Sequence, residues 1–150
     1  MIFSFGHPER ERVEVDVLRY ERAPVGEFYD DNWLVVDIRV QAGGFHGRVA
    51  ATIITQELIN FASQLHTLNK TLSGSARFST LEQQLSLHLV GDDKGRIELR
   101  GEVADRPGSG NRLQFILQFD QSQLGVSIRE LEKVALQFPI RHLQGTQKHE

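Results

Sequence analysis

The chain has 150 residues, 39% of them apolar and 25% charged, with no cysteine. That length and balance suit one globular domain and exclude a collagen-like or wholly disordered chain. Disulfides, thiolate metal sites and cysteine nucleophiles are excluded as well. Seventeen Lys and Arg stand against 20 Asp and Glu, a net charge of −3, so the basic excess of a phosphate-binding protein is missing and no direct nucleic-acid contact is expected. The acidity is local: residues 9–37 carry nine acids against four arginines. Met1-Ile2-Phe3-Ser4-Phe5-Gly6 lacks the basic flank of a signal peptide, and no apolar run is long enough to span a bilayer. A cytoplasmic location without membrane contact is the expectation.

Strand patterns dominate. After a short opening strand over 2–5, Val13, Val15 and Val17 alternate with Glu14 and Asp16, a period of two. Leu34, Val36, Ile38 and Val40 repeat the pattern, and Gln41-Ala42-Gly43-Gly44 supplies a turn. Phe45, Val49, Ala51 and Ile53 complete a hairpin over 33–54. Leu58, Phe61, Leu65, Leu68 and Leu72 then recur at helical spacing. Thr55 is the expected cap of that helix, Glu57 sits in its first turn and Gly74 is the expected left-handed terminator.

Leu85, Leu87 and Leu89 form the next strand face. Asp92-Asp93-Lys94-Gly95 is a turn, and Ile97, Leu99 and Val103 continue the buried side. Residues 106–111 read as a longer exposed connection before the strand of Leu113, Phe115, Leu117 and Phe119. Phe115 and Leu117 are expected to pack beneath Phe61, Leu65 and Leu131. A second helix opens at Asp120 with Gln123 reaching back, and carries Leu124, Ile128, Leu131, Ala135 and Phe138. Pro139 ends it. Residues 1–141 are the expected ordered core, with a frayed polar tail over 142–150. The order β-β-β-β-α-β-β-β-α predicts a single α+β domain: one antiparallel sheet of six to seven strands with two helices on one face. No internal repeat is visible.

Catalytic constellations are missing from the sequence. Gly43-Gly44-Phe45-His46-Gly47 is not a phosphate loop. The six histidines have no metal-ligand spacing, and no serine sits in a nucleophile elbow. No enzymatic activity, metal or cofactor is expected. Asp30-Asp31 and Asp92-Asp93 have the look of turn carboxylates that bond their own backbone.

Two surfaces remain. In Glu27-Phe28-Tyr29-Asp30-Asp31-Asn32-Trp33, acids accompany aromatics, the composition of a protein-binding hot spot and equally of a loop folded over a core edge. Its candidate contact residues are Glu27, Tyr29, Asp30, Asp31 and Trp33. The alternative is the outer sheet face, with His46, Arg48, His88, Arg96 and Arg100. That face or a sheet edge also suits a homo-oligomeric assembly, and the face suits a small ligand.

Tyr20-Glu21, Tyr29-Asp30-Asp31-Asn32-Trp33-Leu34, Thr55-Gln56-Glu57-Leu58, Leu72-Ser73-Gly74-Ser75-Ala76 and Leu81-Glu82 occur in that order along the chain. Gly95-Arg96-Ile97-Glu98-Leu99, Phe119-Asp120-Gln121 and Phe138-Pro139-Ile140 follow. In these pieces and their spacing the chain resembles the WapI-type immunity proteins of bacteria over nearly its whole length. Where that family has Thr after Asp-Gln, Ser122 stands here. The resemblance implies a small cytoplasmic protein that neutralises the toxic C-terminal domain of a cell-surface toxin, a tRNA-cleaving nuclease in the family's namesake. Such a protein needs a protein partner but neither catalysis nor a cofactor.

Overall fold

A computed structural model describes residues 1–142. In chain order its elements are β1 (Ile2–Gly6), β2 (Arg12–Tyr20), α1 (Phe28–Asp31), β3 (Trp33–Ala42), β4 (Phe45–Ile54), α2 (Thr55–Thr71), β5 (Ser73–Ser79), β6 (Leu85–Asp92), β7 (Arg96–Arg106), β8 (Ser109–Asp120) and α3 (Gln121–Gln137). The fold is α+β, as its alternating and helical patterns require. The single sheet of six to seven strands with two helices is corrected: there are two four-stranded antiparallel meanders, β1-β2-β3-β4 and β5-β6-β7-β8, and three helices, the short α1 being the addition. The same order of four strands and a helix therefore occurs twice.

Several local expectations hold. Val13, Val15 and Val17 are buried opposite Val40, Ile38 and Val36. Asp120 caps α3: Gln123 N donates to Asp120 Oδ1 (3.2 Å), while Asp120 N donates to Gln123 Oε1 (3.1 Å). Others are corrected. Thr55 is the first helical residue of α2 rather than its cap, and its backbone N–H and hydroxyl both turn to Asn32 (3.0 Å each). Leu72, not Gly74, takes the left-handed conformation that ends α2, with φ 61°. Gly74 belongs to β5. The connection expected over 106–111 is a tight turn at Pro107-Gly108, with Arg106 paired to Ser109. The expected tail over 142–150 lies outside the described residues except for His142, which is exposed.

The inward side chains of both sheets and both long helices join one apolar cluster. An aromatic chain crosses it from Phe119 to Phe5 (6.2 Å between ring centroids), Phe61 (5.8 Å) and Phe78 (5.0 Å). Phe115 and Leu117 point inward as expected. The Phe115 ring, however, lies across Gly101 on the neighbouring strand, where a Cβ would fall 2.2 Å from it.

Three side chains from neighbouring elements bond the backbone of edge strands. Ser4 N and Oγ on β1 donate to Glu130 Oε1 of α3 (3.0 and 2.9 Å), and Arg77 N on β5 donates to Gln64 Oε1 of α2 (2.8 Å). On β4, Ala50 O accepts from Gln84 Nε2 (3.2 Å). Each long helix thus lies on the first strand of the sheet that it does not directly follow.

Candidate functional site

The 27–33 segment is held in place through two buried side chains, Asp31 and Asn32. Asp31 is only 3% exposed, and its carboxylate accepts the backbone N–H groups of Val25 and Gly26 (2.9 Å each). Beside it Asn32 has no exposed surface. Its Nδ2 donates to Phe28 O (2.6 Å) and Arg141 O (2.8 Å), and its Oδ1 accepts from Thr55 Oγ1 (3.0 Å) and Arg141 N (2.7 Å). One amide thereby ties α1, the start of α2 and the chain beyond α3 into a single corner.

Arg141 completes the corner. Its guanidinium lies 3.5 Å from the centre of the Tyr20 ring and donates to Arg22 O (3.0 Å). The Tyr20 hydroxyl donates to Pro139 O, and burial raises its pKa against the lowering influence of Arg141. Phe138 meets the same ring edge-on at 5.6 Å.

Of the five residues expected to dock a partner, Glu27, Tyr29 and Asp30 are exposed, Tyr29 by 71%. Tyr29 stands edge-on to Phe28 at 5.5 Å, and Asp30 has only a loose ion pair with Arg22 (3.8 Å). Trp33 is half-buried on the outer side of β3, opposite Ile54. Asp31 does not belong with them, because its charge is turned inward to hold the preceding turn. Asn32, central to the corner, was missed. Its type alone points the other way, since asparagine is mostly an exposed turn residue.

The alternative surface does not exist as one face. His46 and Arg48 lie on the outside of the first sheet, whereas His88, Arg96 and Arg100 lie on the outside of the second. The three arginines among them already have partners. Arg48 Nε contacts both oxygens of Asp37 at 3.0 Å, Arg100 Nε donates to Glu98 Oε1 (2.7 Å), and Arg96 Nη2 donates to Gln118 Oε1 (3.2 Å). An open groove of about 780 Å³ runs from His88 and Arg100 past Phe115 and Ile116 to the β3–β4 turn, where Phe45 is 70% exposed.

The shifted carboxylates have structural causes. Asp92 is lowered by the backbone N–H groups of Lys94 and Arg96, and Asp105 by Asn111. Glu102 is lowered by Gln114 and then by Arg112. Glu57 is raised by burial, against the backbone N–H groups of Ile54 and Leu81 that it accepts. Among the described residues no three His, Asp or Glu side chains converge as metal ligands, and no helix is long and apolar enough to cross a membrane.

The fold and these surfaces define an α+β protein of two antiparallel meanders, presenting an acidic and aromatic corner on one loop. The family model described as "Immunity protein WapI-like family" matches residues 3–139, and the chain belongs to that family. No curated protein matches it. Among solved structures it is similar to a chain of the Trypanosoma bruciei MRP1/MRP2 crystal structures, at a TM-score of 0.49 and 14% identity, over 93% of this chain and 85% of that one.

Proposed function

We propose that the protein neutralises the toxic C-terminal domain of a bacterial cell-surface toxin, a nucleic-acid-cleaving domain, by covering its working surface. The observation that carries this reading is membership of an immunity-protein family over residues 3–139. The acidic corner supports it. A nuclease needs a basic surface to hold phosphates, and exposed carboxylates steer towards such a surface. The protein would act in the cytoplasm as a single domain, by binding alone, without a catalytic step or cofactor.

Glu27 and Asp30 supply the field in this proposal, with Tyr29 and Trp33 as the anchors that bury on contact. The decisive experiment is co-expression with a toxin C-terminal domain of the kind this family neutralises. Growth rescue and loss of nuclease activity in a purified mixture are the expected results, and a toxin left fully active by saturating protein overturns the reading. In binding kinetics, Asp30→Lys should slow association most at low salt, where screening is weakest. Tyr29→Ala should raise the dissociation rate by about tenfold. Unchanged rates for both would move the interface away from this corner.

A further inference from the structure

An exposed strand edge is a row of unpaired backbone donors and acceptors that other chains can join, so natural proteins blunt their edges. Here β1, β4 and β5 are blunted by Glu130, Gln84 and Gln64. The remaining edge belongs to β8, at 12 residues the longest strand. Among the described residues, no side chain or loop bonds the backbone of 112–119 on the side away from β7. The strand contains neither lysine nor proline.

We propose that β8 is the seam of a symmetric dimer, in which two copies pair antiparallel about a two-fold axis at Ile116 and join their second sheets into one of eight strands. The side-chain order along β8 selects the second copy as the occupant and fixes this register. Arg112, Gln114, Ile116, Gln118 and Asp120 share the outer face. An axis at Ile116 sets Ile116 on its own copy, Gln114 on Gln118, and Arg112 on Asp120. On the inner face it sets Leu113 against Phe119 and Phe115 against Leu117. Moving the axis to Phe115 places Ile116 on Gln114 and Arg112 on Gln118. Moving it to Leu117 places Asp120 on Gln114. Only the axis at Ile116 matches apolar, amide and opposite-charge pairs together, the combinations that stabilise adjacent strands.

The charged ends have capacity for the added contact. Ser122 Oγ and Gln123 N use Asp120 Oδ1, and Oδ2 has no partner among the described residues. Arg112 reaches Glu102 through Nη1 alone. Ile116, at the centre, is 48% exposed.

Sedimentation of the full chain at about 100 µM tests the seam, with a mass twice the 17.0 kDa of one chain expected. A species of single-chain mass at that concentration overturns it. The double variant Gln114→Lys/Gln118→Lys places like charges across the seam and should weaken the dimer at least about tenfold, whereas Gln114→Lys/Gln118→Glu should keep it. A dimer indifferent to the first variant overturns the interface. Because the chain has no cysteine, crosslinking reads the register independently of those variants. Oxidised Ile116→Cys should form covalent dimer, and Gln114→Cys should not unless mixed with Gln118→Cys. The reverse pattern overturns the axis.

Discussion

Asn32 spends its whole side-chain amide on internal partners, two accepted and two donated bonds, with no exposed surface. Replacing it by alanine strands groups of α1, α2 and the 139–141 segment at once, and a buried polar group left unpaired costs about 1–3 kcal/mol. Asn32→Ala is expected to lower the urea-unfolding free energy by about 2–4 kcal/mol. Asp30→Ala, two residues away on the surface, should change it by less than about 0.5 kcal/mol. The adjacent pair Asp30-Asp31 explains why such distinctions were not legible in the sequence. Both are acids in a turn, and the turn chemistry was readable from their type. Which of the two turns inward depends on where residues 25 and 26 pass, a matter of tertiary structure. Asp31→Lys should therefore unfold the corner instead of testing its charge.

At the scale of the element, the two long helices begin on carboxylates shifted in opposite directions, and the sign of each has a consequence. Asp120 is lowered by the Ser122 hydroxyl and the Gln123 N–H. Its folded-state pKa lies below the unfolded value, so its stabilisation is present above the carboxylate range and is lost as pH falls through that folded pKa. Asp120→Ala should cost about 1 kcal/mol at neutral pH, with the deficit shrinking in acid. Glu57 is raised by burial. Its stabilisation is full below the unfolded pKa and declines as pH rises through the folded one, so Glu57→Gln should gain on the wild type over that rise. Urea midpoints measured across the carboxylate range check both signs.

The cap at Asp120 was legible because its pattern is local. β5 was not: Ala76 and Phe78 are its only buried residues, in a stretch otherwise of serine, glycine and arginine. It is a strand because β6 pairs along its whole length and α2 covers it. The division into two sheets was hidden for the same reason. Alternation tells which face of a strand is buried but says nothing of which strands are neighbours. That division also scattered His46, Arg48, His88, Arg96 and Arg100 over two faces.

At the scale of the molecule, the two strand-and-helix halves are interlocked. α2 lies on β5 and α3 on β1, and neither half alone covers its own first strand edge. Unfolding is expected to be a single cooperative transition, with circular dichroism and Trp33 fluorescence superimposing. Fragments 1–72 and 73–142 should each be unfolded or aggregated alone and recover helical signal when mixed. Two separate transitions, or a folded fragment, would show that the halves are independent units. The bond from Ser4 to Glu130 also sets an order on the making of the protein. Synthesis releases β1 first, yet the carboxylate that covers its edge is 126 positions further along. Until the ribosome has delivered α3, the earliest strand waits with its backbone open to any neighbouring nascent chain. A gene cut short after Asp120 should therefore yield inclusion bodies, even though it encodes every strand of the fold.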